Sequence, residues 1–159
     1  MTCKNCSSKN SDSVLFCRVC GMSMGDPESV ECESHPAANA TGICVVCGRP
    51  VCGDCSTTKG AAVFCKDASH ALLMDTHMRF AFAENEFDAD LVARNLAAHD
   101  VPAIAFSLKK YSQFYRFTDN PAVSLFVSKE MHETALRIVD ELELNDFLVG
   151  VISKIGKSP

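Results

Sequence analysis

All ten cysteines of this 159-residue chain lie between Cys3 and Cys65, and none follows. Eight of them form pairs with two residues between partners: Cys3 and Cys6, Cys17 and Cys20, Cys44 and Cys47, Cys52 and Cys55. Cys32 stands at the same spacing from His35, and Cys65 is followed by His70. Thiols arranged this way hold disulfides, run redox chemistry or bind metal, and the count discriminates among the three. Three tetrahedral sites need twelve ligands, and the ten cysteines with His35 and His70 supply them with no cysteine left over. A disulfide framework or a thioredoxin-like motif leaves four separate Cys-x2-Cys pairs and the Cys-x2-His unexplained. The expectation is three zinc ions per chain, each closed by four ligands and therefore structural rather than catalytic.

The setting agrees with thiols that stay reduced. The opening "MTCKNCSSKNSDSV" lacks the charged start and apolar run of a secretory signal. The longest clear apolar stretch, "FLVGVI" at Phe147 to Ile152, is about a third of a membrane span. The expected compartment is the cytoplasm, where paired thiols bind metal more often than they cross-link.

Cys3, Cys6, Cys17 and Cys20 form two pairs separated by ten residues, the four-thiolate pattern in which each tight turn presents two sulfurs to one ion. Gly21 fits a turn that needs positive φ, and "SSKNSDS" is rich enough in turn formers for a hairpin tip. "MTCKNCSSKN" and "LFCRVCG" resemble the short zinc-ribbon modules common at the front of prokaryotic proteins, which places a ribbon at residues 1–25. "GMSMGDPESVE" reads as a linker.

Over residues 30–72 the order is Cys-x2-His-Pro, then Cys-x2-Cys-Gly-Arg-Pro-Val-Cys-x2-Cys, then Phe-Cys and a trailing His. This resembles a B-box-type zinc finger. The resemblance implies a cross-braced module with one ion on Cys32, His35, Cys52 and Cys55 and the other on Cys44, Cys47, Cys65 and His70. The last gap is longer than usual in that family and ends in Cys/His where many members have His/His, so His77 stands as an alternative eighth ligand. Segments of about 20 and about 40 residues bury too little apolar surface to fold unaided. Structural zinc supplies about 10 to 16 kcal/mol of apparent folding free energy.

From Arg79 the pattern changes. "RFAFAE", "AIAFSL" and "AVSLFV" read as strands. "FDADLVARNLAAHD" sets Ala89, Val92, Ala93, Leu96 and Ala97 on one helical face, with Pro102 ending the element. "SKEMHETALRIVDEL" does the same with Ala135, Ile138, Val139 and Leu142, and Ser128 is the expected N-cap. The order β-α-β-β-α over residues 79–143 predicts an α+β unit with its helices on one face of an antiparallel sheet. "FAENEFDADLVARNLAAHDVPAIA" and "AVSLFVSKEMHETALRIVDEL" resemble the prokaryotic signal-transducing protein family, whose fold is compared with the ferredoxin-like, nitrogen-regulatory PII proteins. That resemblance implies a ferredoxin-like domain. The tail, 144–159, reads as a short helix capped by Asn145 or Asp146, with a fourth strand as the alternative.

Other chemistry is sparse. Glu84, Glu86, Asp88 and Asp90 suit a helix start, His99 and His132 stand singly, and no glycine-rich phosphate loop is present. "KKYSQFYRF" packs aromatic and basic residues between two strands. It either covers the sheet or projects as a contact loop in which Lys109, Lys110, Tyr111, Phe114, Tyr115 and Arg116 meet a partner. The expected function is that of a non-enzymatic adaptor or regulatory protein with a protein partner. Nucleic-acid binding is the alternative, disfavoured by a net charge of −5. Enzymatic activity requires a three-coordinate site that holds water. Confinement of the metal ligands to the first half predicts that a chelator unfolds residues before about Ala71 and leaves the α+β unit intact.

Overall fold

The computed structural model describes residues 1–10, 12, 14–25, 30–114 and 122–152, apart from the side chains of residues 112–114. The described residues among the first 65 form tight turns and short strands that bury eight of the ten cysteines. At Cys3, Cys17 and Cys44 the amide four residues on donates to the cysteine carbonyl: Ser7 N to Cys3 O at 2.9 Å, Gly21 N to Cys17 O at 2.8 Å, and Gly48 N to Cys44 O at 2.8 Å. Each donor has positive φ, at 58°, 77° and 75° respectively, which glycine adopts without steric cost. Cys-x2-Cys-Gly in the sequence is the trace of the turns at Cys17 and Cys44, and Ser7 takes the same position after Cys6.

Gly21 is held by a second constraint. A Cβ there would stand 2.1 Å from the Ile43 carbonyl oxygen, and the Gly21 carbonyl accepts from Ile43 N at 2.8 Å. Gly21→Ala is expected to cost more than the roughly 1–2 kcal/mol of left-handed strain, because the ribbon must also separate from its neighbour. A thermal melt should show a drop of several degrees, and an unchanged midpoint would mean that the ribbon does not dock at Ile43.

Short antiparallel ribbons connect the turns. β1 (Glu31–Cys32) pairs with β2 (His35–Asn39), β3 (Gly42–Ile43) with β4 (Pro50–Val51), and β5 (Ser56–Lys59) with β6 (Ala62–Cys65). Helix α1 (Ala68–Thr76) follows, capped by the Asp67 side chain, which accepts from Ser69 N. None of its residues is buried. It therefore lacks the apolar stripe by which sequence announces a helix, and in the sequence it reads only as a connector.

The second half contains β7 (His77–Ala83), α2 (Glu86–Ala98), β8 (Ala103–Ser107), β9 (Val123–Ser128), α3 (His132–Glu141) and β10 (Gly150–Val151). The strands form one sheet in the order β10-β7-β9-β8, with every neighbouring pair antiparallel. Both helices lie on one face, where Val92, Leu96, Ile138 and Val139 pack on Phe80, Val123, Leu125 and Val127. Leu142, expected in that set, is 40% exposed. The Asn85 side chain caps α2, accepting from Asp88 N at 2.8 Å, and Glu86 and Asp88 occupy its first turn.

Two expectations are corrected. Ser128 makes no side-chain cap bond, because a 3-10 turn over Lys129–Met131 intervenes before α3. In the described part of the tail, residues 144–152, the alternative fourth strand is present and the α-helix is not. A 3-10 turn at Leu144–Phe147 leads into β10, which pairs with Ala81 and Phe82. Glu143, at φ 55°, reverses the chain, and Val149 and Ile152 then pack against apolar side chains of the cysteine-rich half.

The other face of the sheet is covered as well. Phe82 and Leu108 pack with Phe16, Val30, Ala40 and Ile43, and Phe126 packs with Val45, Val46, Val63 and Phe64. Every residue from Val123 to Val127 is buried. Helices, sheet and cysteine-rich turns thus form three layers. Composition marks a boundary near residues 72–79, but the packing runs across it, so an α+β unit standing by itself would leave one sheet face in water.

Candidate metal centres

The twelve expected ligands gather into three groups of four. Site A joins Cys3, Cys6, Cys17 and Cys20; site B joins Cys32, His35, Cys52 and Cys55; site C joins Cys44, Cys47, Cys65 and His70. Within each group the ligand atoms lie within 4.8 Å of one another. In site A the Cys3 and Cys20 sulfurs are 3.7 Å apart and those of Cys6 and Cys17 3.6 Å. A tetrahedron of sulfurs about 2.3 Å from a central zinc has edges of roughly 3.8 Å. In site B, His35 Nδ1 is 3.4 Å from Cys52 Sγ and 3.1 Å from Cys55 Sγ. In site C, His70 Nδ1 is 3.6 Å from Cys44 Sγ and 3.2 Å from Cys65 Sγ. A mixed sulfur–nitrogen edge around zinc is about 3.5 Å. All ten cysteines are free thiols, and the three clusters are compatible with zinc.

The pairs interleave along the chain, the first of the second segment with the third and the second with the fourth. His70 comes to the thiols from α1, while the His77 Nδ1 lies 2.8 Å from its neighbour's hydroxyl, Thr76 Oγ1. Asp67 Oδ2 stands 3.8 Å from His70 Nε2, beyond hydrogen-bonding distance. His70→Ala is expected to lower metal content by up to one ion per chain and to make Cys44, Cys47 and Cys65 more reactive to thiol reagents. His77→Ala should leave both readouts unchanged; metal loss from His77→Ala instead would reassign the ligand.

Electrostatics explain why such clusters want a cation. Hydrogen bonding from Cys20, and then from Ser8, pulls the Cys17 thiol down to about 3 against the opposing effect of burial. The same contact with Cys17, reinforced by burial, pushes Cys20 up. Site C repeats the pattern: Cys47 draws Cys44 down to about 4, while Cys47 itself is raised by Cys44. Sulfurs this close ionise at one another's expense, and a dication at the centre lets all of them ionise.

Polar side chains around site A belong to the design and were missed in the sequence. Ser8 Oγ lies 3.0 Å from Cys6 Sγ and 3.1 Å from Cys17 Sγ. Asn10 Nδ2 approaches Cys17 Sγ at 3.5 Å, and Asn5 Nδ2 approaches Cys20 Sγ at 3.4 Å. The signal was present in "KNCSSKN", where donors crowd the first pair.

The aromatic loop is described only in part. Tyr111 is 9% exposed. The Lys110 ammonium pairs with Glu33, whose carboxyl is held below its ordinary value by Lys110 first and by the Tyr111 hydroxyl next. Arg49 Nε completes the group at 2.8 Å from Glu33 Oε2. Lys109 pairs with Glu86 at 2.5 Å. This end of the segment ties the sheet domain to the cysteine-rich half. The Phe114 side chain, Tyr115 and Arg116 lie outside the described residues.

No family model matches this chain, and neither a curated protein nor a solved structure matches it. Its class is defined by its own geometry: three four-ligand Cys/His clusters, each able to hold a metal ion, built into a layer on an α+β sheet. Among the described residues no helix is long and apolar enough to cross a membrane.

Proposed function

We propose that this is a zinc-structured, non-enzymatic adaptor or regulatory protein with one zinc ion in each of sites A, B and C. Closure of the sites carries the reading: each gathers four ligand atoms, and four-coordinate zinc keeps no position for water or substrate. The ligand spacing in site A supports a zinc ribbon. The interleaved pairs of sites B and C support a cross-braced B-box-like finger. The chain order β-α-β-β-α-β with spatial order β10-β7-β9-β8 supports the ferredoxin-like reading of the second half, and with it the likeness to the prokaryotic signal-transducing family.

Nucleic-acid binding is the second reading. The net charge of −5 speaks against it, and ten thiolates outweigh three dications, so the folded protein is more acidic still. Metal analysis of protein purified without added zinc is expected to return three zinc ions per chain. One or two ions, or a different metal, would overturn the assignment. The immobilised zinc-loaded protein should retain a protein partner from its own cytosol and no labelled oligonucleotide at physiological salt. Oligonucleotide retention that falls steeply with salt would favour the second reading.

A further inference from the structure

We infer that Arg79 couples sites A and C, so that metal at one strengthens binding at the other; this rests on the reading of both clusters as metal sites. Arg79 projects from β7 into the metal-bearing layer and is 4% exposed. Its Nη1 donates to the Val45 carbonyl at 2.7 Å. Its Nη2 donates to the Arg18 carbonyl and, at 3.3 Å, to that of Val19. Arg18 and Val19 are the two residues between Cys17 and Cys20, and Val45 follows Cys44. One buried cation therefore closes on a turn of site A and a turn of site C. The Phe82 ring lies 4.5 Å from the guanidinium carbon and fixes its plane. A backbone link runs beside it: Val63 N donates to Cys20 O, and Val63 O accepts from Val45 N, both at 2.9 Å.

Such a turn has defined carbonyl positions only while metal holds its sulfurs. Filling site A sets the Arg18 and Val19 carbonyls, which hold the guanidinium where Val45 meets it, so site C needs less ordering when its own ion arrives. Loss of acceptors from a buried cation is penalised more than loss from a neutral donor, so collapse of either turn weakens the other. The effect is reciprocal by linkage. Val45, Arg18 and Val19 all belong to turns of sites A and C, which leaves site B as the internal reference.

Cadmium-113 NMR of the full chain, read in competition with a chelator, separates the four-sulfur site from the two sites with a nitrogen ligand, and the signal lost in His70→Ala identifies site C. The cadmium affinity of site C is compared in wild type, in Cys3→Ser/Cys6→Ser, in Arg79→Met, and in their combination. Disabling site A is expected to weaken site C about 5- to 150-fold in wild type and by much less in the Arg79→Met background, with site B little changed. Arg79→Lys keeps the charge but not the fork and should fall between; it carries the cycle where Arg79→Met does not refold. A site C indifferent to the loss of site A, a loss undiminished by substituting Arg79, or equal weakening at sites B and C would overturn the coupling. Failure of wild type to bind cadmium at the clusters would overturn the metal reading instead.

Discussion

Stripping the metal with a strong chelator is expected to remove amide protection from both halves of this protein. Structural zinc contributes about 10 to 16 kcal/mol of apparent folding free energy, as much as the whole stability of an ordinary domain, about 5 to 15 kcal/mol. Without it the turns of the first half have nothing to close around. The sheet then loses its second layer, and Phe82, Leu108 and Phe126, each 0% exposed, face water. Burying a side chain of this size is worth about 1.5–3 kcal/mol, so the three together represent on the order of 5 kcal/mol or more. Amide exchange followed by NMR checks this. Protection at Phe80 and Leu125 should fall together with that of the turn amides at Gly21 and Gly48. Full protection of Phe80 and Leu125 after metal removal would show that the helix layer alone sustains the sheet.

Phe82→Ala is expected to be the most damaging substitution away from the ligands. Its ring is fully buried in the cluster with Phe16 and Ile43. Two guanidinium carbons lie over it, that of Arg79 at 4.5 Å and that of Arg18 at 5.9 Å. Truncating a buried phenylalanine costs about 3 to 5 kcal/mol, a drop of about 10 °C in melting temperature for a chain of this size. Phe87→Ala is the control, because Phe87 is 75% exposed on α2 and its loss should stay within about 0.5 kcal/mol. Equal melting temperatures for the two variants would mean that the second layer does not sit on the sheet in solution.

The Cys/His clusters were legible because donor spacing is locally encoded. Two donors on one tight turn must be about three residues apart, and the turn needs positive φ just beyond, so Gly21 and Gly48 mark two of them. The helix faces were legible for a similar reason, since Val92 and Leu96 recur at the helical period and are buried. Spacing alone left open which pair meets which. That pairing follows from the fold, which brings Cys65 and His70 to Cys44 and Cys47 across some twenty residues. The second layer also left a trace: "AVSLFV" is apolar on both sides of the strand, as in a sheet covered on both faces, and Leu125 and Phe126 are indeed buried in opposite layers.

Arg79 shows where sequence stops. It reads as the polar member of an alternating strand, yet it is buried among carbonyls of Arg18, Val19 and Val45. Every residue owns a carbonyl, so no residue type announces that acceptor. Tyr111 and Lys110 make the same point, since their partner Glu33 lies 77 positions from Lys110. The sequence by itself determined the spacing of the Cys/His donors, their turns and the helix faces, because each is set by neighbours in the chain. Only the tertiary structure decided that the cysteine-rich turns cover the sheet, because that contact joins apolar faces and backbone groups that are distant in sequence.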